Sequence, residues 1–114
     1  MTNPSPEPIV ELDETRHRYT ITVQGEVAGF AQFFDHDGQR VFVHTKVGEQ
    51  YAGHGLAKLL VAGALDHVRA NGLRIVPVCP FVKSYLDRHH QYDDLVDRVT
   101  PQLLARAGGG PSPS

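Results

Sequence analysis

A chain of 114 residues is the size of one domain and can bury a substantial core. Its 40% hydrophobic and 21% charged residues are ordinary for a globular protein. With a net charge of −2 and no block of like charge, neither nucleic acid nor a membrane surface is an expected partner. One cysteine, Cys79, excludes an intrachain disulfide and fits a reducing compartment. The first residues carry no leader-like pattern, and no apolar run nears the ~18 residues of a membrane span. A cytoplasmic location is the expectation.

The ends, 1–8 and 108–114, are rich in Pro, Gly and Ser, so the folded domain is expected over 9–107. Residues 9–12 read as a short strand and 18–24 as a second, with Tyr19, Ile21 and Val23 on one face. Gly25-Glu26 reads as a hairpin turn into a strand over 27–34. The Asp-Gly within 35–39 marks another turn. The strand over 40–47 alternates, predicting Val41, Val43, Thr45 and Val47 on one face and Phe42, His44 and Lys46 on the other. The period then changes. From Gly55 to Ala70, Leu56, Leu59, Leu60, Ala64, Leu65 and Val68 form the apolar face of a helix, and Lys58, Asp66 and Arg69 its wet side. Gly63 inside this helix implies close packing against the sheet. Asn71-Gly72 stops it, and 73–79 reads as a strand interrupted by Pro77. Short helices are expected over 80–90 and 92–107, the second shortened or kinked at Pro101. The strands flanking the long helix should be parallel neighbours, which makes the fold α/β with a mixed, mostly antiparallel sheet.

The chemistry is concentrated where the strand over 40–47 turns into the helix. Glycines ahead of a helix let the backbone close on an anion, and the helix start offers unpaired N–H groups. Gly53 and Gly55 are so placed. The dinucleotide fingerprint fails, because Lys58 replaces its third glycine. The P-loop fails as well, because His54 and Gly55 replace its Lys and hydroxyl residue.

Gln50-Tyr51-Ala52-Gly53-His54-Gly55 matches Q/R-x-x-G-x-G/A, which resembles the pyrophosphate loop of the GNAT superfamily of acetyl-coenzyme A-dependent N-acetyltransferases. The resemblance extends along the chain. His44-Thr45-x-Val47, Gly53-x-Gly55-x-Ala57-x-x-Leu60-Val61, Pro77-x-Cys79-Pro80-Phe81-Val82-x-x-Tyr85 and His89-x-x-Tyr92 stand in the order seen in small stand-alone GNAT-like proteins. His90 departs from the proline usual in the last motif. The resemblance implies a sheet with a central V-shaped splay, flanking helices, and acetyl-coenzyme A as substrate. It places the pyrophosphate on Gln50 through Gly55 with Leu56, Ala57 and Lys58 at the helix start. It lays the pantetheine arm along Thr45 and Val47, with Cys79 and Pro80 facing it. His44, on the strand face opposite Thr45, is the candidate base or a structural histidine, and Tyr85 stands where many such enzymes carry their acid or is a core or rim aromatic. Cys79 lines the site, protonates the thiolate or carries the acetyl group. His89, His90 and Tyr92 border the adenine or cap their helix. The acceptor is an amine, such as a protein lysine or N-terminus. The rival readings are a coenzyme A-binding module with little catalysis and an interaction domain without a ligand. The seven histidines show no recurrent zinc spacing, so no metal is expected.

Overall fold

The computed structural model describes residues 7–51 and 55–107. Four strands, β1 (Ile9–Asp13), β2 (Arg18–Val23), β3 (Glu26–His36) and β4 (Gln39–Val47), form an antiparallel meander. Helix α1 (Leu56–Ala70) then crosses to β5 (Arg74–Pro77), which pairs in parallel with β4. The sheet order is β1-β2-β3-β4-β5, the order of the chain. Helix α2 (Pro80–Arg88), a 3-10 turn (His90–Leu95) and helix α3 (Pro101–Arg106) complete the fold.

Local chemistry accounts for most boundaries, and several differ from the periodicity. The second hairpin turns at Gln24-Gly25 rather than Gly25-Glu26. Both residues have positive φ, 55° and 83°, as a two-residue turn matched to strand twist requires. The strand over 73–79 shortens to Arg74–Pro77, because Pro77 has no N–H to extend the pairing. The long final helix is absent. Residues 90–95 form the 3-10 turn, Val96 bridges Ile75 in parallel, and α3 starts at Pro101 instead of kinking there. Thr100 caps it by accepting the Leu103 N–H.

The main core lies between α1 and one sheet face. It holds Tyr19, Ile21, Phe33 and Phe42 against Leu60, Ala64, Leu65 and Val68. Leu59, expected on the apolar face, is 48% exposed, and Val61 is buried instead. Gly63 meets the expectation of close packing: a Cβ there would lie 2.9 Å from Val10 Cγ1. On the opposite face Leu103 covers Val41 and Val76 in a smaller cluster. One charge is taken inside. Arg40 is buried, donates two 2.8 Å bonds to Asp35 and one of 2.7 Å to the Tyr19 hydroxyl, and lies 4.1 Å over the Phe33 ring. With these partners each of its three guanidinium nitrogens has an acceptor.

Two features of β4 prepare the site. Its pairing with β3 slips between Gln32 and Phe33, so Gln32 faces His44 while Phe33 faces Phe42, and Val43 is an extra residue. The slip reverses the expected alternation. Thr45 and Val47 join Phe42 on the α1 face, while Val41 and Val43 face α3. The ladder with β5 also ends early, at Phe42 opposite Pro77. One more bond, from the Cys79 N–H to the Phe42 carbonyl at 2.8 Å, closes the apex of the V. Beyond it β4 runs on to Val47 without a strand on its β5 side among the described residues.

Candidate functional site

The splay leaves a free strand edge, and alternation tells which groups lie along it. Phe42 points its carbonyl toward β5, and Gly48 donates in the other direction, to Ala28 on β3 at 2.8 Å. With one extra residue at the slip, the backbone groups of Thr45 and Val47 face the open side. An unpaired strand edge of this kind offers its N–H and C=O groups to an extended partner.

Cys79 closes the inner end of the slot. It is the residue before α2, extended at φ −65° and ψ 126°, followed by Pro80 in the first turn, and it is 2% exposed. Its Sγ lies 3.4 Å from Thr45 Oγ1. These two expected residues, 34 positions apart, thus meet across the splay.

The outer end is the start of α1. Gly55 has φ 72°, where a side chain would be strained, and supplies no side-chain cap. Its carbonyl accepts the Leu59 N–H at 3.2 Å, so the N–H groups of Leu56, Ala57 and Lys58 have no acceptor inside the helix. The first turn carries no acidic residue. A cavity of about 170 Å³ adjoins it, lined by Val47, Tyr51, Gly55, Leu56, Ala57, Lys58 and Phe81. All but Phe81 were singled out in the sequence; Phe81 was quoted only within its motif. Ala52, Gly53 and His54 lie outside the described residues. Gln50 is exposed in a 3-10 turn, Glu49–Tyr51, in which Tyr51 donates 3.0 Å to Glu26. That hydrogen bond, before burial, raises the Tyr51 phenol above its ordinary value.

The remaining candidates divide between the two sides of the sheet. Tyr85 is half-buried on α2, its ring stacked on His89 at 3.9 Å and 9°. Burial, reinforced by the charge of Asp66, raises its phenol, so it stays a proton donor near neutrality. Tyr92 points its hydroxyl to Asp66 at 2.6 Å and Arg69 holds Asp94 at 3.0 Å, so these groups fasten the 3-10 turn to α1. His90 is exposed beside Asp93. His44 stands exposed at the strand slip, on the face opposite Thr45 and Cys79, with its ring 5.9 Å from Phe30. The slot is therefore walled by Thr45 and Cys79 and has an imidazole on the far side of the same strand.

A sequence model of the family described as GCN5-related N-acetyl-transferase matches residues 18–95. Protein NATD1 of Homo sapiens is 28% identical over 94 residues, covering 81% of this chain and 82% of that protein. Protein NATD1 of Gallus gallus is 30% identical over 79 residues, covering 68% and 72%. The solution structure of a GCN5-like protein from Staphylococcus aureus matches with a TM-score of 0.60 at 22% identity, over 82% of this chain and 91% of that one. That likeness concerns the fold.

Proposed function

Because the chain belongs to the GCN5-related N-acetyltransferase family, we propose that it takes acetyl-coenzyme A as substrate and passes the acetyl group to an amine. The observation that carries this reading is the free edge of β4. An extended arm with two amides suits the Thr45 and Val47 backbone groups as a missing strand would. The apolar cavity beyond Val47 and the uncapped start of α1 suit the arm's outer half and the anionic phosphates. These features support the reading at both ends of the substrate.

Transfer forms a C–N bond and breaks the C–S bond. The amine loses a proton and the leaving thiolate gains one. Thr45 and Cys79 enclose the reacting end and keep water from it. Tyr85, held protonated by burial, gives the proton to the sulfur. His44 takes the proton from the amine, which approaches from the exposed face of β4. His44 and Lys46 are both exposed there, so the acceptor side is open enough for a protein lysine or N-terminus. A binding module without turnover is the second reading. The position of His44 on the strand face opposite Thr45 and Cys79 favours it, because the slot itself then holds no base.

Calorimetry with coenzyme A and acetyl-coenzyme A tests the binding, and thiol release in the presence of amine-bearing peptides tests the transfer. Binding with turnover is expected. Binding without turnover on any amine selects the second reading, and no heat at millimolar ligand overturns both.

A further inference from the structure

The chain carries three lysines, Lys46, Lys58 and Lys83, and all are exposed. They stand at different places relative to the splay. Lys83 is on α2 with Asp87 at 3.7 Å, and lines a separate cavity with Pro77 and Asp93. Lys58 is in the first turn of α1 and lines the cavity at the outer end of the slot. Lys46 is on β4 itself, between Thr45 and Val47, whose backbone groups face the open side.

The surroundings of Lys46 leave its amine unfastened. It pairs across the sheet with Phe30, whose ring lies 5.9 Å from that of His44, so Lys46 and His44 share one face. The cation over the Phe30 ring is Arg18, at 5.0 Å, and not Lys46. Among the described residues no carboxylate lies within 4.0 Å of the Lys46 Nζ. Its Cα is about 3.8 Å from that of Thr45, the residue that meets Cys79 across the slot. No strand flanks β4 on the β5 side at this level among the described residues. The flexible four-carbon stem can therefore fold over the strand edge and bring the amine to the slot from the side of His44.

We propose that Lys46 is a self-modification site, acetylated within the same chain by acetyl-coenzyme A held in the splay. The inference rests on the reading that this thioester lies there and that His44 serves the acceptor side. The Lys46 ammonium gives one proton to His44 and a second as the C–N bond forms. The C–S bond breaks and Tyr85 returns a proton to the sulfur. Ammonium and thioester thus yield amide, thiol and one net proton. The product loses a positive charge from a face that also carries Arg18 and His44.

Mass spectrometry of peptides tests it, after incubation of the chain with acetyl-coenzyme A, without another amine, at several protein concentrations. A tethered amine reacts at a high effective concentration, so Lys46 is expected to gain acetyl about tenfold faster than Lys58 or Lys83. The rate should not depend on protein concentration. His44→Gln should slow labelling at Lys46 and leave the background at the other two lysines unchanged. Lys46→Arg keeps the exposed charge, so it should melt with the wild type and show only that background. Equal labelling of the three lysines, or a rate at Lys46 that rises with protein concentration, overturns this inference and leaves the broader reading standing. So does an unlabelled Lys46 in a chain that acetylates added peptides. No transfer to Lys46 or to any added amine overturns this inference and the transfer reading together.

Discussion

At the scale of single residues, the meeting of Thr45 and Cys79 bears on the route of the proposed transfer. A nucleophile must reach its substrate, and Cys79 is 2% exposed with Thr45 Oγ1 at 3.4 Å. Direct attack by the amine is therefore expected. Intact-mass measurement after incubation with acetyl-coenzyme A should show no acetyl adduct on Cys79, and Cys79→Ala should retain turnover within about tenfold. An adduct that vanishes in the variant would establish the covalent route. For His44 the signature is a pH profile. A base accepts only when unprotonated, so kcat/KM should fall toward acid in the wild type. His44→Gln should lose that limb and about a hundredfold in rate. An unchanged profile would leave the imidazole to its contact with Phe30.

At the scale of elements, α1 is held to the sheet by close approach and to the C-terminal turn by charge. Gly63→Ala gains up to about 1 kcal/mol in helix propensity but sets a methyl 2.9 Å from Val10. Overpacking of this kind costs about 1–3 kcal/mol, so a net loss is expected, seen as a fall of roughly 4 °C in the melting temperature. Adding Val10→Ala makes room for the methyl, and the Gly63→Ala change should then be nearly neutral in that background. The charged tethers respond to acid. Arg69 bonds Asp94 and holds its carboxyl below the ordinary value of 3.8. Burial works to raise Asp97, but hydrogen bonds from Gln39 and Arg74 outweigh it, and the net direction is also down. A carboxyl depressed in the folded state adds stability above its unfolded pKa and loses it as pH falls through the folded value. Hydrogen exchange should therefore find residues 91–97 opening below roughly pH 4, ahead of α1 and the meander.

Much of this level was legible from one strand at a time. The Asp-Gly turn, the 3.6-residue period of α1, the fit demanded at Gly63 and the break at Pro77 are all written in local chemistry. What escaped belongs to pairs of elements. The slip at Val43 and His44 exists only against Gln32, so the residues of 40–47 carry no mark of it, and Val43 reads on the face of Thr45 when it lies on the other. Residues 92–107 carry apolar residues enough for a helix. Val96 bridges Ile75 and Asp97 bonds Arg74 and Gln39, and these tertiary bonds draw the chain out straight. Cys79 was found through its motif, since a lone buried cysteine is otherwise indistinguishable from packing.

At the scale of the whole molecule, the sheet repeats the order of the chain. Each of the first three pairings is a hairpin between neighbours, whereas β4 and β5 meet only after the whole of α1 has intervened. Loop closure makes the distant pairing the slower one to form. The meander can consequently organise the folding nucleus, with the V assembled downhill of the barrier. Stopped-flow measurements should separate the two. Ile21→Ala in the meander should slow refolding, while Val76→Ala in β5 should mainly hasten unfolding. The reverse pattern would place the nucleus at the crossover. A groove completed after the rate-limiting step can also reopen without melting the sheet, so the part of the chain that would take hold of a ligand is the part whose lifetime the ligand itself can lengthen.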